Sequence, residues 1–180
     1  MKDKITNSML KLMQTQNFSK INIAMICRNV PISRTTFYHY FSSKDEIIEY
    51  FVEQDFLKNS LPIFKFHLKQ RGVQTFFSYL REHRDIYQKL YHIDQGVSLY
   101  KALKRAYLAG FERRSEYSDQ SVRKKPPMNP NVFSQYACSG LAAVMIYWIK
   151  NNMDIPEEQM ANDLYLMMEE PLGHVRDYYV

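Results

Sequence analysis

The stretch ISRTTFYHYFSSKDE, residues 32–46, combines two helix starts with a cluster of aromatic side chains. Ser33 is a favoured N-cap residue, and it precedes a short segment with helical spacing. Ser43 and Glu46 have the S-x-x-E spacing of a capping box, in which two side chains satisfy the first backbone N–H groups of a helix. The stretch therefore predicts that one short helix ends within it and that a longer helix begins.

Two further helices are predicted upstream. Ile5, Met9 and Met13 have the spacing of an amphipathic helix. Asn22 is a suitable N-cap for a second helix, which Pro31 would end. We expect Phe37 and Phe41, one turn apart on the third helix, to pack together against the first two.

Charge is unevenly distributed along the chain. Residues 1–44 carry seven lysine or arginine side chains and a single carboxylate, Asp3, so their net charge is +6, whereas the whole chain has +5. No carboxylate occurs between Lys4 and Lys44, and carboxylates return at Asp45. A basic module attached to a nearly neutral remainder indicates a polyanionic partner for the first part only.

Two short helices joined by a tight turn form a helix-turn-helix candidate. In that motif the first residues of the second helix face base edges in the major groove of DNA. Arg34 is the residue type that most often reads guanine, and Thr35 offers a methyl group to thymine. Thr36, Tyr38 and Tyr40 carry hydroxyls suited to phosphate oxygens.

Arg34 and Lys44 each lie in the first turn of a predicted helix, where a cation is unfavourable. An external anion at the helix N-terminus would remove this penalty, and phosphate binds well at such positions. The alternative is that both are ordinary solvated side chains. The charge distribution and the turn spacing favour the anion.

The segment INIAMICRNVPISRTTFYHYFSSKDEII, residues 21–48, closely resembles the DNA-binding domain of the TetR family of bacterial transcriptional regulators. The resemblance covers about residues 5–50. It implies that Thr36, Tyr38, Tyr40 and Lys44 hold phosphates, while Arg34, Thr35 and His39 face bases. The matching positions are Ile23, Ile26, Ser33, Thr36, Phe37, Tyr38, Tyr40, Phe41 and Lys44, with Asn22 at the usual threonine cap. The DNA-binding residues predicted in this way are Asn22, Ala24, Met25, Ser33, Arg34, Thr35, Thr36, Tyr38, His39, Tyr40 and Lys44.

The turn departs from the family pattern, because Val30-Pro31 stands where relatives usually have Ala-Gly, and Cys27 replaces an alanine. Glycine tolerates a positive φ, which the proline ring opposes. We therefore expect a different path for the turn and an adjusted tilt of the recognition helix.

The predicted fold class is all-α, with a helix-turn-helix domain over residues 1–45 and a helical effector-binding and dimerisation domain over residues 46–180. Glycine is scarce, and no alternating apolar pattern predicts strands. The fourth helix is expected to end near Lys58, with Pro62 restarting the chain and an interruption near Gly72. Later helices are predicted over about 97–114 and 132–149, then from Pro156 onward, with a basic, proline-rich loop at 121–131.

The segment 136–149 is apolar on nearly every side, so one face would meet the chain's own core and the other a partner subunit. Met160 and Leu164 begin a matching stripe on the last helix. These patterns predict a symmetric dimer through a four-helix bundle. The predicted interface residues are Ala142, Ala143, Ile146, Ile149, Met160, Leu164, Met167 and Met168.

The family resemblance also implies a small-molecule effector bound between the middle helices. An aromatic stripe at helical spacing is more often core than pocket, and that alternative stays open. The candidate effector residues are Phe76, Tyr79, His83, Tyr87, Tyr91, Tyr107, Phe111, Phe133 and Tyr136.

Other functional classes lack support in the sequence. No glycine-rich phosphate loop, zinc-binding motif or nucleophile motif is present, so we predict neither an enzyme nor a cofactor or metal site. Cys27 and Cys138 are expected to be buried free thiols. The apolar run at 136–149 is shorter than a bilayer span, and we expect a cytoplasmic protein. The predicted function is a ligand-responsive regulator, in this family most often a repressor; the alternative is a dimeric co-regulator that acts through another protein.

Overall fold

The computed structural model describes residues 1–65, 70–117 and 128–169, and these ranges contain nine α-helices and no strand. The helical content confirms the all-α prediction. The helices are α1 (Lys2–Thr15), α2 (Ile23–Asn29), α3 (Arg34–Tyr40), α4 (Lys44–Lys65), α5 (Gln70–Glu82), α6 (Arg84–Asp94), α7 (Val97–Tyr117), α8 (Pro130–Lys150) and α9 (Glu157–Glu169). A 3-10 turn, Phe18–Lys20, lies between α1 and α2.

The first three helices enclose a small apolar core. Ile5, Met9, Ile26, Phe37 and Phe41 are each almost completely buried, and the rings of the two phenylalanines lie 6.3 Å apart. The inward packing of Phe37 and Phe41 is therefore confirmed. This core fixes which side of α3 faces away from the protein.

The proline in the turn between α2 and α3 has a positive φ. Pro31 has φ 23°, and the N–H of Ile32 donates to the carbonyl of Cys27 at 3.1 Å. The expectation that Pro31 would avoid this conformation is wrong. Because the pyrrolidine ring favours a φ near about −65°, the turn concentrates backbone strain at this residue.

Three helix boundaries differ from the predictions. α4 continues through Pro62 to Lys65, beyond the expected end near Lys58. Gly72 lies inside α5, and the chain breaks instead at His83, which precedes α6 with φ −102°. The predicted basic loop at 121–131 falls largely outside the described residues. Its last two residues, Pro130 and Asn131, already belong to α8, and the side chain of Asn129 accepts hydrogen bonds from the N–H groups of Asn131 and Val132.

The larger unit is built around α4, which packs along α7, while α7 packs on α8 and α5 packs on α9. Arg81 fixes α9, because its guanidinium donates to the carbonyls of Met153 at 2.8 Å and Ile155 at 2.6 Å and forms an ion pair with Glu157. The indole N–H of Trp148 donates to the same Ile155 carbonyl at 2.9 Å. Since α4 also packs on α1, it joins the two units of the fold.

Candidate nucleic-acid interface

α3 presents one polar face to solvent because its opposite face is anchored in the core. The Oγ atom of Ser33 accepts the N–H of Thr36 at 3.0 Å, which confirms Ser33 as the N-cap. Arg34, Thr35 and His39 are exposed, and Tyr38 is 55% exposed although its ring lies edge-on to the buried Phe37. These side chains can reach a ligand without any change in the protein core.

Two of the predicted hydroxyl contacts are less accessible. The Thr36 hydroxyl lies 2.8 Å from that of Ser33, so the two share a hydrogen bond. Tyr40 is half-buried, packed against the core and edge-on to His39. Because a phosphate oxygen only accepts hydrogen bonds, Thr36 can bind one only when its hydroxyl hydrogen is not donated to Ser33, and Tyr40 can bind one only from its exposed side.

α2 contributes the second wall of the candidate interface. Asn22 Oδ1 accepts the N–H of Met25 at 3.1 Å, as expected of an N-cap, and Ala24 and Met25 are half-buried. A surface recess of 610 Å³ brings the start of α2, the face of α3 and the start of α4 together. Of the predicted DNA-binding residues, Asn22, Ala24, Arg34, Tyr38 and Lys44 line this recess.

The recess also includes two serines that the sequence patterns did not single out. Ser19 lies on the 3-10 turn and Ser42 directly precedes the helix cap Ser43. Glu46 Oε2 accepts both the N–H of Ser42 at 2.6 Å and its hydroxyl at 2.8 Å, and these bonds lower the pKa of Glu46. The capping box is therefore modified: Ser43 accepts the N–H of Glu46 at 3.2 Å, but the carboxylate returns to Ser42.

Lys44 differs most from its predicted role. Its ammonium group donates to the carbonyl of Phe18 at 2.8 Å and to that of Ile21 at 3.1 Å. It also lies 4.3 Å from the centre of the Phe18 ring. The positive charge is therefore directed at the chain's own backbone.

Two family models match this chain. "Bacterial regulatory proteins, tetR family" matches residues 5–51, which include the whole recess, and "Transcriptional regulator C-terminal region" matches residues 69–170, more than half of the chain. The chain belongs to the TetR family. Its members are transcriptional regulators that bind DNA, and they are not enzymes.

Relatives within the family support the fold. The HTH-type dhaKLM operon transcriptional activator DhaS of Lactococcus lactis subsp. lactis (strain IL1403) is 29% identical over 91 residues, which span 51% of this chain and 49% of that protein. A solved structure of the dihydroxyacetone kinase operon activator DhaS aligns over 92% of both chains, with 17% identity and a TM-score of 0.57. Thermus thermophilus FadR, a TetR family repressor in complex with lauroyl-CoA, aligns over 94% of both chains, with 13% identity and a TM-score of 0.59. At these identities the structural likeness shows the shared fold.

In this TetR-family chain, three of the predicted effector residues belong to the core. Phe76, Tyr87 and Tyr107 are each at most 5% exposed, and Phe56 packs edge-on against Phe76 at 5.0 Å and against Tyr107 at 4.4 Å. These side chains pack into the core of this structure, and their effector role stays a prediction. The periodic aromatic stripe fills the space between α4, α5 and α7 with side chains.

A carboxylate lies beside this aromatic core and was not predicted. Asp55 on α4 accepts hydrogen bonds from the hydroxyl of Tyr79 at 2.6 Å and from that of Tyr87 at 2.7 Å. Burial, followed by the charge of Asp55 and its hydrogen bond, raises the pKa of Tyr87 well above its ordinary value. Asp55 therefore holds α5 and α6 against α4.

The remaining effector candidates lie at the surface or outside the described residues. His83 is exposed and stacks on Tyr79, with ring centres 4.1 Å apart, while Tyr91 is half-buried. Phe133 and Tyr136 are 41% and 64% exposed on α8. The side chain of Phe111 lies outside the described residues.

The predicted dimer residues divide into two groups. Ala142, Ile149 and Met160 are at most 4% exposed within the chain's own core, so a partner cannot reach them, and this burial corrects their assignment. Leu164 is 9% exposed and Ile146 is half-buried. Ala143 is exposed and Met167 is 48% exposed, whereas the side chain of Met168 lies outside the described residues.

An exposed apolar face remains on α8 and α9. A groove of 290 Å³ lies between the two helices. Its lining residues are Phe133, Tyr136, Ala137, Gly140, Leu141, Val144, Leu164 and Met167. The whole of α8, which is 21 residues long and includes the apolar run 136–149, could cross a bilayer by length and composition, and 28% of its most apolar part is buried. Because Met145, Trp148 and Ile149 pack into the protein core, α8 is a core helix of a globular unit with one apolar face left open.

Both cysteines are buried free thiols, as predicted. Cys27 lies within α2, and its Sγ atom is 3.9 Å from the carbonyl of Ser33 on the other side of the turn. Burial raises the pKa of both thiols. They are therefore packing residues and poor nucleophiles.

Proposed function

We propose that this protein binds an operator as a homodimer and inserts α3 of each protomer into the major groove. The observation that carries this proposal is the recess between α2, α3 and α4, which collects exposed polar side chains on the most basic part of the chain. A helix placed this way reads bases with its first residues. Operator binding also implies a cytoplasmic location.

The exposure of each side chain suggests its role on DNA. Arg34 is exposed at the start of α3 and would read a guanine, while Thr35 and His39 would face the same groove. Tyr38 is positioned to bond a phosphate from the wall of the recess, with Thr36 and Tyr40 contributing through their remaining hydrogen-bonding capacity. Asn22, Ala24 and Met25 would contact the backbone of the same half-site.

Dimerisation is supported by the open apolar face of α8 and α9. An apolar helix that is mostly unburied in one chain requires a partner surface. A Cβ atom added at Gly140 meets no atom within 4 Å, so the middle of this face is open to a second copy. Two such helices from each protomer would form a four-helix bundle and set two α3 helices about 34–36 Å apart.

We propose that a small-molecule effector controls this dimer and that the protein is a repressor. α4 carries Asp55 and Phe56 at the aromatic core and also begins beside the recess. An effector that enters between α4, α5 and α7 would displace aromatic side chains and move α4, which changes the spacing of the two α3 helices. FadR, which holds lauroyl-CoA, shows that a member of this family accommodates such a ligand.

A second possibility is activation, either directly or as a co-regulator that works through another protein. It is favoured by the sequence match to DhaS, which is named a transcriptional activator. The well-packed aromatic core also favours control by a protein partner over control by a small molecule. Direct activation would use the same operator contacts, whereas the co-regulator would act without an operator of its own.

The test is selection of duplex DNA from a randomised pool by the purified protein, followed by sequencing. The proposal predicts enrichment of an inverted repeat and binding of two protomers per duplex by mass photometry. Tyr38→Ala should lose most of the affinity, whereas Glu82→Ala, at an exposed position of α5 outside the recess and the α8–α9 face, should retain DNA recognition. Enrichment of no sequence would contradict the proposal. Transcription in vitro from a promoter that carries the selected repeat then distinguishes repression from activation.

A further inference from the structure

We propose that Lys44 is a positioning residue, which fixes the start of α2 to the start of α4, and that it does not neutralise a phosphate. This role presupposes the DNA binding proposed above, and it differs from the phosphate contact that the family resemblance implies. The deciding geometry is the pair of hydrogen bonds from the Lys44 ammonium to the carbonyls of Phe18 at 2.8 Å and Ile21 at 3.1 Å.

The ammonium of Lys44 has little capacity left for DNA. A lysine side chain has three N–H donors, and two of them are used by backbone carbonyls. The ring of Phe18, 4.3 Å from Nζ, covers another side of the charge and adds a cation–π contact. The side chain is also half-buried, whereas the neighbouring Arg34 is exposed. A phosphate would have to compete with three existing partners.

The two carbonyls belong to the segment that sets the entry of α2. The N–H of Ile21 donates to the carbonyl of Phe18 at 3.1 Å, which closes the 3-10 turn. Ile21 directly precedes Asn22, whose side chain caps α2 at Met25. By holding both carbonyls, Lys44 fixes the direction in which α2 leaves the turn, and α2 in turn supports α3.

This contact also connects DNA reading to the larger unit. Lys44 is the first residue of α4, and Ser43 caps that helix. One turn further along, Glu49 of α4 forms an ion pair with Arg105 of α7. A displacement of α4 would therefore pull on the Phe18 and Ile21 carbonyls and tilt α2 and α3 within the recess.

The test is the salt dependence of binding to the duplex that the wild-type protein selects from a randomised pool. Lys44→Met removes the donors and the charge while it keeps an unbranched apolar side chain. Its affinity should fall by about tenfold at every salt concentration, because the start of α2 loses two charge-assisted hydrogen bonds. The slope of log affinity against log salt should equal that of the wild type. Lys20→Met removes the same charge from an exposed side chain on the same turn, and it should lose much less affinity.

Three results would overturn the role of Lys44. A slope that is shallower by about 0.9 per protomer shows that Lys44 neutralises a phosphate. Unchanged affinity with a lowered melting temperature shows that it only stabilises the fold, and equal losses in both variants show a general charge effect. If Lys44→Met does not fold, Lys44→Gln, whose amide can still donate to one carbonyl, is measured in the same series. Failure of the wild type to select any duplex would overturn DNA binding itself, and this role with it.

Discussion

The hydroxyl of the fully buried Tyr87 on α6 donates to Oδ2 of the half-buried Asp55 on α4 at 2.7 Å. A second tyrosine, Tyr79, donates to Oδ1 of the same carboxylate at 2.6 Å. One carboxylate thus joins three helices at the edge of the aromatic core. Hydrogen bonds to charged groups are worth more than neutral ones, so this cluster should make a measurable contribution to stability.

Tyr87→Phe should lower the free energy of unfolding by about 1.5–3 kcal/mol, because the ring still packs but Asp55 loses a buried donor. Urea unfolding followed by circular dichroism measures the change. Tyr147→Phe, which removes the hydroxyl of a residue that is 58% exposed, should change stability by less than about 0.5 kcal/mol. Equal effects of the two substitutions would show that the Asp55 bond contributes nothing.

The same tyrosine should make stability depend on alkaline pH. Burial, and then the charge of Asp55, raises the pKa of Tyr87 above that of an unfolded tyrosine, which is about 10. The unfolded chain therefore releases this proton first, so the contribution is complete below about pH 10 and is lost as the pH rises toward the folded-state pKa. The free energy of unfolding, measured at several pH values above about 10, should decrease more steeply with pH for the wild type than for Tyr87→Phe. Parallel pH dependence in both proteins would contradict this assignment.

Pro31→Gly should stabilise the protein. Pro31 has φ 23°, a conformation that costs a proline about 1–3 kcal/mol but costs a glycine little. Glycine also raises the entropy of the unfolded chain, which offsets part of this stabilisation. A thermal melt should show a higher melting temperature. Pro156→Gly, at an exposed proline before α9, should lower it, because there only the entropy changes. A decrease of the melting temperature in both variants would show that the turn is not strained.

Gly140→Arg should convert the dimer to a monomer while the fold is kept. A side chain at this position meets open space in one chain, but it would project into a partner that packs on α8. Sedimentation velocity measures the mass, and circular dichroism measures the helix content. Gln135→Arg adds the same charge at an exposed position about 140° around the same helix and should remain dimeric. A dimeric Gly140→Arg protein would exclude this face as the interface.

The sequence predicted the local features of the DNA-binding module because caps and core positions depend on near neighbours. Asn22 and Ser33 act as N-caps, and Phe37 is buried, as their spacing indicates. The hydrogen-bond partners of Lys44 could not be predicted, since the carbonyls of Ile21 and Phe18 lie 23 and 26 residues earlier in the chain. Only the folded arrangement brings the start of α4 to the 3-10 turn.

The larger unit was harder to predict because its helices are apolar on most sides. The apolar pattern of α8 does not show which face of the helix is buried. The buried Ala142 and the exposed Ala143 could therefore not be distinguished. The aromatic stripe favoured a packed core but was also compatible with a pocket, and the structure places Tyr107 in the core. Asp55 belongs to none of the sequence motifs described above. Its role in joining the helices follows only from the two tyrosine hydroxyls that donate to it.

The most direct test of the central claim is DNA selection with wild-type protein and with Arg34→Ala in parallel. If α3 reads bases in the major groove, the wild type should select an inverted repeat, and the variant should lose the preference at one symmetric pair of positions. Affinity for that repeat should fall by about 1–3 kcal/mol, while the preferences at other positions persist. An identical selected sequence with both proteins would contradict base reading by Arg34 at the start of α3.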